Sequence, residues 1–180
     1  MSKLSEHFDS SEFNCKCGCG KGEQTSPILI EYLEKLFSLM DAKVIIVNSG
    51  YRCPSYSVRV GGSSTDAHTK HIAADIKVKK QDGNWYSSDD IAEAAERIGF
   101  GGIGVMNTAC HVDIRHLGGY ANTHWFGDER NGSKVATFQR GTVFPGEVKE
   151  NTPSMPEEKK NHTIQLFIDG IEIFNKTIID

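Results

Sequence analysis

The chain has no apolar run near the roughly 20 residues needed to cross a bilayer, so no membrane partner is expected. It has no excess of basic residues either. Lys and Arg total 20 against 24 Asp and Glu, a formal net charge of -4. A nucleic-acid partner is therefore not expected, because such proteins carry a basic stripe or patch. Affinity for an anionic polymer would have to be local. The opening, Met1 to Asp9, lacks the basic-then-apolar order of a secretory signal. The chain is thus expected to be cytoplasmic as synthesised. Internal repeats and low-complexity tracts are also missing. What remains is 180 residues, 38% hydrophobic and 24% charged, which is enough for one ordinary domain with its own core.

Cysteines are few and odd in number. Three lie in Cys15-Lys16-Cys17-Gly18-Cys19, and the others are Cys53 and Cys110. Alternating cysteines with glycine can bind metal, although zinc sites usually use paired Cys-x-x-Cys units. The plainer reading is a tight N-terminal loop, bridged to Cys53 in an oxidising environment.

Periodicity supplies the elements. Ser26 and Pro27 open an amphipathic helix to Met40, with Ile28, Tyr32, Leu33, Leu36 and Leu39 or Met40 at helical spacing. Val44 to Val47 reads as a short buried strand, and Ile72 to Val78 as another. Between them, Ser49 to Pro54 and Gly61 to Ser64 read as loop. Ser87 to Asp90 cap a second helix that Gly99 ends. Gly101 to Val105 and Cys110 to Ile114 follow as strands. After Gly118 the pattern weakens. Residues 1–150 are expected to form the domain, with 151–161 a polar linker and 162–180 a β-hairpin around Asp169-Gly170. An isolated hairpin is marginal in water, so docking or self-association through it is expected.

Two segments carry chemistry: Asp66-Ala67-His68-Thr69-Lys70-His71-Ile72-Ala73-Ala74-Asp75, and Cys110-His111-Val112-Asp113-Ile114-Arg115-His116. Two histidines and an aspartate on neighbouring strands can make a three-ligand metal site with an open position for water, although an isolated His-x-Asp on a strand is common and by itself means little. Asp75 sits among Ala73, Ala74, Ile76 and Val78. A carboxylate in so apolar a strand needs a compensating partner. On a strand, His111 and Asp113 share a face while Val112 points into packing.

These segments, in this order, resemble the zinc D-alanyl-D-alanine carboxypeptidases and related peptidoglycan endopeptidases, whose zinc site is shared with lysostaphin-type enzymes and hedgehog domains. The resemblance rests on Ser49-Gly50-Tyr51-Arg52-Cys53-Pro54, Val60-Gly61-Gly62, His68 followed by Asp75, Gly101-Gly102-Ile103-Gly104, and His111-Val112-Asp113. It runs from about Leu4 to Trp125. Phe13 to Gly20 is similar to the opening of phage and prophage members.

The resemblance implies that His68, Asp75 and His111 hold one Zn2+ and that Asp113 is the general base. It places Arg52 in a loop facing the substrate, where a guanidinium grips a carboxylate or an oxyanion. His71 and Trp125 are candidate substrate contacts, each with a plainer reading, a loop histidine and a core tryptophan. His116 is the alternative third ligand, reached only through a bulge or turn. Three positions depart from the family pattern: Asp66 stands for serine, Ser57 for asparagine and His71 for glycine. The implied fold is α+β, with a small, mostly antiparallel sheet and packed helices. The implied substrate is the peptide stem of peptidoglycan, cut by an endolysin-like enzyme that reaches the wall after release. The competing reading is a non-catalytic wall-binding or phage structural module on the same fold.

Overall fold

A computed structural model describes residues 2–117, 124–150, 162–168 and 171–178. Residues Met1–Glu147 form one compact unit and Val148–Asp180 another. The first unit is built on a six-stranded sheet in the order β1-β2-β4-β3-β5-β6. The strands are β1 (Ala42–Ser49), β2 (Ala73–Lys80), β3 (Gly102–Val105), β4 (Cys110–Asp113), β5 (Trp125–Asp128) and β6 (Ser133–Lys134). All neighbours are antiparallel except β3 and β5, which run parallel. The α+β class and the mostly antiparallel sheet are as expected from the sequence.

Each central strand has two faces of different character. Ala74, Ile76 and Val78 on β2, Cys110 and Val112 on β4, and Ile103 and Val105 on β3 are buried together in one core cluster. Helices α1 (Pro27–Leu39) and α3 (Ser88–Ile98) pack on this face and on each other. The alternate residues Asp75, His111, Asp113, Gly102 and Gly104 point the other way. Register sets them side by side: Asp75 opposes His111, and His111 opposes Gly104.

The two long helices start and stop for local reasons. Pro27 begins α1 with φ preset and no N–H to lose. Its core stripe is Leu29, Ile30, Leu33 and Leu36, continued by Met40. Ile28, placed on that stripe by sequence, is exposed. The Ser87 side chain accepts from the Asp90 N–H, and Gly99 closes α3 at φ 96. On α3, the fully buried Glu93 gathers the segment that follows β6. It accepts hydrogen bonds from Thr142 Oγ1 (2.7 Å), the Thr142 and Arg140 N–H groups (2.9 and 3.0 Å) and the guanidinium nitrogens of Arg140 and Arg97 (3.1 and 2.9 Å). Burial opposes its ionisation, but these donors hold its pKa down at about 2.

Three local expectations change. β1 is an edge strand, not a buried one, so Ile45 is buried while Ile46 is exposed. The stretch after Cys53 is not all loop: Pro54 opens a short helix, α2 (Pro54–Arg59). β5 emerges from the weakly patterned region because it pairs along β3. In the second unit, β7 (His162–Ile168) and β8 (Ile171–Ile178) pair antiparallel. Helix α4 (Pro145–Glu150) spans the division between the units. The expected linker, the Asp169-Gly170 turn and Gly118-Gly119 lie outside the described residues.

Candidate metal centre and cleft

His68, Asp75 and His111 converge, all three buried. Asp75 and His111 meet because they are directly opposed on β2 and β4. His68 comes from a 3-10 turn, His68–Lys70, just before β2. Three atoms face one point. His68 Nε2 lies 3.2 Å from Asp75 Oδ1, His111 Nδ1 lies 3.0 Å from the same oxygen, and the two nitrogens are 3.2 Å apart. Tetrahedral zinc with bonds of 2.0–2.1 Å separates its ligand atoms by about 3.3 Å. The donor set and its spacing therefore fit the ion with only a small outward movement.

The far side of each ligand is held. His68 Nδ1 lies 2.7 Å from the Gly50 carbonyl. A carbonyl only accepts, so that nitrogen carries the proton and Nε2 is left with its lone pair. His111 Nε2 lies 3.0 Å from Asp113 Oδ2, which fixes Nδ1 as the ligand atom in the same way. The second oxygen of Asp75 takes a short ion pair from Arg52 Nη2, while Arg52 Nε donates to Ser49 Oγ at 2.8 Å. Burial resists ionisation of Asp75, but hydrogen bonds and charge from His111 and His68 hold its carboxyl far below the usual range. Burial likewise favours a neutral His111, yet Asp113 and Asp75 push its pKa up to about 10. Two buried carboxylates around one imidazole demand positive charge, and a proton or a divalent cation meets that demand.

The centre opens onto a cleft of about 470 Å³, whose lining includes Arg52, Gly61, Gly62, Asp66, His68, Asp75, His111, Arg115, Trp125 and Glu129. Arg52 and Trp125 both line this cleft. Trp125 forms a wall on β5: its ring meets His111 edge-on at 6.1 Å and carries the Arg115 guanidinium 5.3 Å from its centre. Two glycines on β3 make room for side chains around the centre. A side-chain carbon on Gly104 would lie 3.0 Å from the Trp125 ring, and one on Gly102 would collide with the Asp113 carboxylate.

Asp113 differs from expectation. It has no exposed surface and does not reach the cleft. Both oxygens are occupied: one binds His111, and the pair is gripped by Arg115 through its backbone N–H (2.8 Å), Nε (2.9 and 3.0 Å) and Nη2 (2.6 Å). This geometry makes it the partner of His111, on the far side of the imidazole from the converging ligand atoms. Glu129 is the carboxylate that sequence reasoning missed. It lies past β5 on the cleft wall, close to Gly104, the residue opposite His111.

His71 and His116 are also elsewhere. His71 sits outside the cleft lining at φ 62, stacked on Tyr51 with ring centres 3.9 Å apart. That left-handed conformation is one that glycine adopts without strain and a side-chain-bearing residue does not. His116 packs against Tyr32 and His124, in space left by the missing side chain of Gly101. It does not join the three converging ligands. The other two departures from the family pattern touch each other. Ser57 donates a short hydrogen bond to Asp66, which also accepts from the Ser63 and Thr69 N–H groups. Asp66 is thereby committed to its own loop.

A family model described as Peptidase M15 matches residues 6–114, more than half of the chain. The chain belongs to the peptidase M15 family. That places it among metallopeptidases, in agreement with the buried His-Asp-His group. The match ends before Trp125 and Glu129, so the outer cleft wall is supplied by residues beyond it. No curated protein matches the chain significantly.

Proposed function

We propose that this M15 peptidase hydrolyses amide bonds in the peptide stems of peptidoglycan, with Zn2+ held by His68, Asp75 and His111. The observation that carries the reading is the convergence of three ligand atoms, two imidazole nitrogens and a carboxylate oxygen, at near-tetrahedral spacing beside an open cleft. Zinc bound there supplies Lewis acidity, which acidifies water and polarises the scissile carbonyl.

The chain's own groups divide the rest of the work. Asp66 is spent on Ser57, Ser63 and Thr69, and Asp75 on the ligand set, so Glu129 is the cleft carboxylate suited to proton transfer. It takes a proton from the attacking water and returns one to the leaving amine. Asp113 keeps the His111 Nε2–H in place and so keeps Nδ1 turned inward. Arg52 and Arg115 line the cleft and give it positive charge, which suits a substrate bearing carboxylates. Trp125 offers an apolar wall for the alanine methyl groups of a stem. The resemblance to phage and prophage members supports action on the wall after release, as an endolysin.

Digestion of purified peptidoglycan, followed by mass spectrometry of the released fragments, tests this. New amino and carboxyl termini within stem peptides, lost on chelation and restored by zinc, are expected. Wall that binds the protein but stays uncut after zinc is supplied sinks the enzymatic reading.

A further inference from the structure

A second group of metal-type ligands lies outside the cleft. Cys15, Cys17, Cys19 and Cys53 bring their four Sγ atoms within 4.8 Å of one another. Cys15 and Cys17 are 3.3 Å apart, and Cys17 and Cys53 are 3.6 Å apart. Tetrahedral zinc with Zn–S bonds of 2.3 Å separates its sulfurs by about 3.8 Å. All four are free thiols here, whereas a disulfide needs sulfurs about 2.05 Å apart.

The backbone explains how alternating cysteines share a target. In an extended strand, residues 15, 17 and 19 would be spread along one side. Here the Gly18 N–H donates to the Cys15 carbonyl at 3.0 Å, and the Cys15 N–H donates to the Gly20 carbonyl at 3.1 Å. The loop therefore closes on itself, with Gly18 at φ 90 and Gly20 at φ 76, conformations that glycine adopts without penalty. Cys53 enters from the residue before α2. Its N–H points at Cys15 Sγ, 3.3 Å away, and a backbone donor of this kind stabilises a thiolate ligand. Cys110, the fifth cysteine, is buried in the sheet core and takes no part.

We propose that these four cysteines form a closed structural metal centre for Zn2+, separate from the catalytic one. Four thiolates select a soft, tetrahedral ion and leave no open position for water, so the centre cannot do hydrolytic chemistry. Its work is mechanical. It ties the N-terminal loop to the segment Gly50 to Pro54, where the Tyr51 N–H also donates to the Phe13 carbonyl at 2.9 Å. That segment carries two parts of the cleft machinery, the Gly50 carbonyl that sets the His68 tautomer and the Arg52 guanidinium paired with Asp75.

The test does not depend on turnover, so it stands apart from the peptidase reading. The His68→Ala chain, purified under reducing conditions, keeps every cysteine while disabling the other centre. Zinc is supplied, excess is removed, and the metal is counted by elemental analysis and examined by X-ray absorption. One retained zinc per chain is expected, with a sulfur shell at about 2.3 Å. In the wild-type chain, an organomercurial thiol reagent should release one of two zinc equivalents, and Cys17→Ser should lose that same equivalent. A His68→Ala chain that retains no zinc, or retains it in a nitrogen and oxygen shell, overturns the proposal. So does a free-thiol count, taken under denaturing conditions without reductant, that shows a disulfide among these cysteines.

Discussion

The two ligand clusters are built from opposite materials. His68, Asp75 and His111 are buried, and two of them are fixed by the register of central strands. The four cysteines sit on loops, and Cys17 and Cys19 are exposed. The sheet positions its ligands before any ion arrives, because strand pairing, a buried aspartate and a carbonyl already hold them. The loop cluster has only a few backbone hydrogen bonds to do so. A metal at the sheet therefore adds chemistry to a structure that exists without it, whereas a metal at the loops would add structure.

The largest effect should come from breaking the sheet centre. His68→Ala is expected to drop peptidase activity to background while the chain still unfolds cooperatively, since the ligand contributes little to the core. Loss of cooperative thermal unfolding in this variant would erase the contrast between the clusters. Next comes the division of labour between two carboxylates. Glu129→Gln should lower kcat about 10²- to 10⁴-fold with zinc content unchanged. Asp113→Asn should instead weaken zinc affinity about 10- to 100-fold, because it loosens His111. Isothermal titration with zinc, run beside kinetics, separates the two. If Asp113→Asn leaves affinity intact and removes kcat, Asp113 is the base after all.

A smaller change probes how the sheet makes room. A methyl at Gly102 must push into the buried Asp113 carboxylate. Gly102→Ala should cost about 1–3 kcal/mol in urea unfolding and weaken zinc binding at the same time. Stability and affinity falling together would tie the space at Gly102 to the ligand set; an unchanged zinc affinity would cut that tie.

Much of the sheet centre was legible in the sequence because strand chemistry is local. Alternation puts His111 and Asp113 on one face, and an aspartate within Ala73 to Val78 announces a buried partner. What the sequence hid was longer in range. Glu129 reaches the cleft through the parallel pairing of β5 with β3, which no local pattern reports. Cys53 lies far along the chain from Cys15, Cys17 and Cys19, so sequence offered it as a disulfide partner, and the four-thiol cluster shows only with the loops folded together. The role of Asp113 turned on Arg115, two residues on, whose side chain folds back to fill the carboxylate. Spacing alone placed the aspartate on the correct face without showing that its oxygens were taken.

The support behind the sheet should respond to pH. The folded pKa of Glu93, about 2, lies below its ordinary 4.5. Its contribution is therefore complete above about pH 5 and is lost as the pH falls through the range down to about 2. Glu93→Gln should cost about 3 kcal/mol at neutral pH, in keeping with breaking a buried ion-pair network. That difference from wild type should shrink as the medium is acidified toward pH 2. A difference that stays constant across the range would mean that shape, and not charge, holds residues 140–142 on α3.

The smallest effect concerns His71, where a ring and a backbone pull in opposite directions. Its φ of 62 costs a side-chain-bearing residue roughly 1–2 kcal/mol, while its stacking on Tyr51 returns about 0.5–1.5 kcal/mol. His71→Gly removes both terms and should shift stability by no more than about 1 kcal/mol. His71→Ala loses the stacking and keeps the strain, so it should be less stable than the glycine variant by about 1 kcal/mol. Urea unfolding of the three proteins decides the matter. Glycine above alanine means that the backbone conformation sets the residue choice and that histidine is tolerated through its ring. Alanine equal to or above glycine would mean that the left-handed turn costs little here, leaving the histidine itself to be explained by what its ring touches.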